Sequence, residues 1–226
     1  MSSYLRLLSL RTRRLFLWLV LGLPFFVPTG LFVAGLYLER GSAGPPRGPD
    51  LVDAFSFTAV VAALFAVLTV ANLTAFLVHD ERRDGRARVL RLATIDGRRP
   101  VTAHLGHASL LAPAGVGLGL VVPGAYCLAA GVPLRLLLLV AVASGAFATI
   151  SGVVGLWIGY LLPRVAAIIA LQLVGVWLTL RFGAALAEAV EARRLPLAAL
   201  AWLLAAHALT LLVLSPLWRR TSARLW

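Results

Sequence analysis

The chain has 226 residues, 61% hydrophobic and 13% charged, with a mean hydropathy of +0.93. A soluble domain of this length is about half apolar and a quarter charged, so the balance excludes an ordinary soluble domain and describes an integral membrane protein. The net charge of +12 is that of 21 arginines, with no lysine, against nine acids. In a membrane protein such charge holds loops inside and meets anionic lipid, which argues against nucleic acid as a partner. Arginine alone, in an Ala/Leu/Gly/Val-rich chain, also reflects a GC-rich genome. The single cysteine, Cys127, excludes an internal disulfide and a thiolate metal cluster, and reads as a small buried hydrophobe.

Residues 1–14 mix Tyr4, Leu5, Leu7, Leu8 and Leu10 with Arg6, Arg11, Arg13 and Arg14. This suits an amphipathic helix at the membrane interface, or a plain basic anchor. A first span is expected over Leu15–Leu38, too long for a signal peptide's apolar core, with Pro24 and Pro28 bending it. A Gly/Pro-rich outer loop then runs from Glu39 to Asp53. The second span, Ala54–Val78, carries Thr69 and Asn72, and buried amides in such helices face protein or a water-filled path. The polar run His79–Pro100 follows, with seven arginines and four acids. The third span is expected over Ala103–Ala130, with an external turn at Gly131–Arg135. The fourth is expected over Leu136–Leu162, with small residues at spacings of three or four that suit close helix contact. The fifth, Val165–Leu180, holds Gln172 and Trp177. An external helical segment is expected at 181–195 and a sixth span over Pro196–Leu217. Placing the N-terminus inside puts 15 of the 21 arginines on the inner side, which sets both termini in the cytoplasm of a bacterial plasma membrane. The fold class read from this is all-α: a polytopic membrane protein of six transmembrane helices, forming one domain over 1–226.

A catalytic constellation is hard to build. His104 and His107 share a helix face near His79, but interfacial histidines more often snorkel or hydrogen-bond than hold a metal. Asp84-Gly85-Arg86-Ala87-Arg88, with Gly97 beyond, looks like a fragment of the CDP-alcohol phosphatidyltransferase signature. The aspartates that family needs for its metals fall at Val101 and Leu105, so no two-metal site can form. With no lysine there is no standard Walker motif, and the chain itself hydrolyses no ATP through a P-loop.

Six spans, an interfacial N-terminal helix and the order Glu81-Arg82-Arg83-Asp84-Gly85, then Arg86 to Thr94, then Asp96-Gly97-Arg98-Arg99-Pro100 resemble the permease subunits of type-2 ABC exporters. The resemblance covers nearly the whole chain. In that family the element after the second span is a coupling helix that seats in a groove of a separate ATPase subunit. It implies coupling roles for Glu81, Arg82, Gly85, Val89, Leu90 and Leu92. The residues suit this: Gly85 permits a sharp break, and Val89, Leu90 and Leu92 offer an apolar face. The alternative is an amphipathic loop lying on lipid. The resemblance further implies a second permease copy or a related permease, ATP and magnesium in the partner with no cofactor in this chain, and a hydrophobic or amphipathic cargo such as a drug, peptide antibiotic, lipid or haem. Thr69, Asn72, Ser144, Gln172 and Trp177, the polar or amphipathic exceptions within spans, are the candidate pathway lining. A membrane assembly or regulatory protein, and a membrane-embedded enzyme, are the competing readings.

Overall fold

The computed structural model describes residues 22–40, 48–83, 98–192, 201, 205, 207–214 and 216. No strand occurs among the described residues, as the all-α reading expects. Helix α1 is Leu23–Arg40 and α2 is Gly48–Ala66. A π-helical turn, Val67–Ala71, joins α2 without a break to α3, Asn72–Arg83. Then follow α4 (Arg98–Ala129), α5 (Leu134–Leu161) and α6 (Arg164–Glu191). Residues 207–214 are helical and are called α7. Among the described residues four helices are long and apolar enough to cross a membrane: Asp50–His79, Val101–Ala129, Leu134–Leu161 and Val165–Glu191. The apolar helix Leu23–Leu38 is shorter. These four helices mark the chain as a membrane protein. The interfacial helix expected at 1–14 lies outside the described residues.

Three boundaries differ from expectation, for one reason. Hydropathy marks where apolar residues stop, whereas backbone chemistry marks where a helix stops. The outer loop expected over 39–53 loses both its ends to helices. Gly48-Pro49-Asp50 opens α2 with a proline in the first turn and an acid against the positive helix end. The polar run 79–100 likewise begins as the last turns of α3 and ends as the first turn of α4. The segment 181–195, expected as a separate external helix, is continuous with the fifth span through Glu191. Arg181 ends the apolar run but not the helix, since Arg181–Glu191 is rich in alanine and glutamate, which outweigh Gly183, and contains no proline. The Arg181 guanidinium lies 5.8 Å from the centre of the Trp177 ring.

True breaks occur where the chain supplies them. α4 ends on Gly131 at φ +86°, with Gly131 N–H donating to Leu128 O (3.0 Å) and Val132 N–H to Cys127 O (2.9 Å). This double closure is the Schellman arrangement, with Val132 buried beyond it. α5 ends because Leu162, which precedes Pro163, is held extended at ψ 151°.

α5 sits at the centre and packs on α2, the π turn, α3, α4 and α6. In its most apolar stretch 67% of residues are buried, against 22% for α6. Its small-residue stripe carries the contact. A side chain added at Gly155 would come within 2.7 Å of Ala71 Cα, and one at Gly159 within 2.8 Å of Ala75 Cα. One added at Gly152 would meet Ala108 Cβ at 3.2 Å. Such approach replaces the hydrophobic force that lipid removes from helix pairs.

A matched pair of substitutions tests this. Gly155→Ala drives a methyl into the Ala71 backbone and is expected to cost about 1–3 kcal/mol, seen as a lower detergent unfolding midpoint. Gly117→Ala, where nothing lies within 4 Å, is expected to leave the midpoint unchanged or raise it.

Candidate functional site

The expected coupling residues divide. Glu81 and Arg82 lie in the final turns of α3, and Gly85, Val89, Leu90 and Leu92 lie outside the described residues. What the fold fixes is the frame around them. The helix entering segment 84–97 runs from Gly48 to Arg83, and the helix leaving it runs from Arg98 to Ala129. Near that end, Val78 of α3, Val101 and Leu105 of α4, Leu156 and Tyr160 of α5 and Leu214 of α7 form one buried apolar cluster. The two ends of segment 84–97 are therefore rooted in the same packed group.

The five candidate lining residues do not converge on one surface. Thr69 and Asn72 sit at the π turn, half-buried. The Thr69 hydroxyl donates to Phe65 O at 2.7 Å, and the Thr74 hydroxyl donates to Val70 O at 2.8 Å. The Asn72 backbone N–H is drawn to Thr69 O, while the Asn72 side-chain amide donates to Leu68 O. In a regular α-helix Leu68 O would receive that same backbone N–H, so the side-chain amide reaches the carbonyl from which the backbone N–H has turned away. Ser144 is fully buried in α5 and its hydroxyl bonds back to Val140 O at 2.8 Å. Gln172 and Trp177 are exposed on the outer stripe of α6, away from the other three.

Polar links that the sequence alone does not single out tie α7 to the bundle. Ser109 Oγ of α4 and His207 Nε2 are 2.8 Å apart, and Trp157 Nε1–H of α5 donates to Thr210 Oγ1 at 2.8 Å. One signal was available: His207 is the only ionisable residue in the stretch 195–218. His104 and His107 are both buried in α4, and His107 Nδ1 finds no hydrogen-bond partner among the described residues. No group of three or more metal-ligating side chains occurs among the described residues.

At the end of the bundle remote from segment 84–97, α1 and α2 bound a half-open cleft of about 460 Å3. Its wall is apolar, with Leu31, Phe32, Leu36 and Phe57, and its rim carries Asp50 and Asp53. Asp50 lies in the first turn of α2, where the helix dipole already accounts for an acid.

Comparison with protein-family models, with curated proteins and with solved structures finds no match. The class defined by fold and composition is an all-helical membrane protein with at least four helices able to span.

Asn72→Leu removes the side-chain hydrogen bond to the Leu68 carbonyl at the π turn. The expected cost is about 1–2 kcal/mol, read as a lower unfolding midpoint. Asn72→Gln, which keeps the amide, is expected to lose less.

Proposed function

We propose that the chain is the transmembrane subunit of an ATP-driven exporter of the type-2 ABC class. A separate ATPase subunit docks on 84–97, and a second copy or a related permease completes the translocation pathway. The observation that supports this best is mechanical. A motor pressing on 84–97 presses at once on α3, continuous with α2 across the membrane, and on α4, and both are seated against α5. Both helices that flank the segment are long and packed, so they can carry force from it into the bundle. The order Glu81-Arg82-Arg83-Asp84-Gly85 followed by Val89, Leu90 and Leu92 supplies charge for orientation and an apolar face for a groove.

In this reading the chain has six spans, both termini face the cytoplasm of a bacterial cell, and ATP and magnesium bind in the partner. The cargo is a hydrophobic or amphipathic molecule. Closure of the ATPase pair pushes 84–97, tilts α3 about the π turn and opens the space between the membrane subunits. Thr69 and Asn72 are placed where such a tilt would be felt, and Gln172 and Trp177 where a second subunit would be met. The dense glycine contacts of α5 favour, as a second reading, a membrane assembly protein without a pathway.

Affinity purification in mild detergent is expected to bring down an ABC ATPase with the native chain. Leu90→Asp combined with Leu92→Asp is expected to cut that recovery at least about tenfold, the loss of two buried apolar anchors. A double variant that still recovers the ATPase and transports normally would sink the coupling claim.

A further inference from the structure

The outer face of α6 is apolar but carries one amide that lipid cannot satisfy. The inner edge of the helix, Ala167, Leu171, Gly175 and Thr179, is buried, with Gly175 against Val67 and Leu68 of the π turn. The remaining circumference is open. Val165, Ile169, Gln172 and Val176 follow one another there at spacings of four, three and four, all exposed, flanked by Leu173 and Trp177. Those spacings are the step of a left-handed helix pair.

Gln172 is the odd member. Between Arg164 and Arg181 the helix has no charged residue, and Gln172 stands eight positions from the first and nine from the second. At 1.5 Å per residue it is about 12 Å from the first and about 14 Å from the second, beyond the reach of its own side chain. No hydrogen bond to its amide is found among the described residues. In hydrocarbon its two N–H donors and one carbonyl would stay unmet, at a cost of several kcal/mol for a fully unsatisfied group. Polar side chains at this depth face protein.

We infer that the α6 stripe is the surface on which a second copy of this chain docks, with Gln172 paired to Gln172 of the partner subunit. An identical copy is the simplest complement, because an amide both donates and accepts and so pairs with itself. Copies inserted in the same orientation about an axis normal to the membrane bring the two amides to one depth. One amide in an apolar seam also fixes the register, since any slip along the stripe strands both groups in hydrocarbon. The inference deepens the exporter reading and rests on it for the need of a second copy, while the geometry of the seam stands apart from it.

Cysteine crosslinking in native membranes tests the seam, using two differently tagged copies in a Cys127→Ala background. Ile169→Cys, Gln172→Cys and Val176→Cys are expected to give disulfide-linked dimers joining both tags. Val142→Cys on α5 and Leu110→Cys on α4, also exposed, are expected to give none. α6 cysteines that link only to another protein, or to nothing, overturn the proposal. The amide is tested in uncrosslinked protein in detergent. Gln172→Leu is expected to weaken the dimer about five- to thirtyfold, the worth of one or two interhelical hydrogen bonds, with Gln172→Asn losing less. An unchanged dissociation constant for Gln172→Leu overturns the role of Gln172. ATPase recovery measured on the same membranes separates the two claims. Seam crosslinks without an ATPase support the docking surface and sink the exporter reading, and an ATPase recovered without seam crosslinks does the reverse.

Discussion

Gly155 and Gly159 let α5 lie against Ala71 and Ala75 at the distance of two bare backbones. In lipid no hydrophobic force draws two apolar helices together, so the gain must come from dispersion over a close, continuous contact and from weak Cα–H···O bonds. Any side chain at the two glycines, or one larger than alanine at Ala71 or Ala75, would hold the axes apart. With the axes close, α5 becomes the post that α2, α3, α4 and α6 share. The π turn is part of the same contact, since Ala71 is its last residue and Gly155 sits directly upon it.

Backbone carbonyls set free by proline and by the π turn are used in the same economical way. Pro28 has no N–H to give Pro24 O, and that carbonyl lies against Gly119 of α4, where a side chain would collide with it. The freed group thus meets the hydrogens of a glycine Cα and not lipid. Around the π turn the hydroxyls of Thr69 and Thr74 and the amide of Asn72 also donate to carbonyls of their own helix, four residues back. Side chains that looked like pathway lining from polarity are therefore also backbone donors.

The all-α class and four of the expected spans were legible from apolar run lengths, because a bilayer enforces them. Helix ends were less so. Arg181 and the polar start at Asp50 interrupt hydropathy yet continue the helix, while Gly131 and Pro163, which act on the backbone, marked the true breaks. The π turn was not legible, since it is a one-residue change of hydrogen-bond register inside Val-Leu-Thr-Val-Ala, a sequence equally at home in an α-helix. Nor does polarity tell direction. Ser144 turns into its own helix, whereas Gln172 turns out of the bundle. The bond between Ser109 and His207 joins residues 98 apart, and nothing local announces such a pair.

The turn at Gly131 has a consequence for how the molecule is made. Its two closing hydrogen bonds both lie within residues 127–132, so the backbone of the bend between α4 and α5 closes on itself. Contacts close in sequence form early. The two helices can thus enter the bilayer as a preformed hairpin, already carrying the glycine stripe. The chain's central post would then be standing before α6 and α7 leave the ribosome, and after α2 and α3 have arrived to meet it.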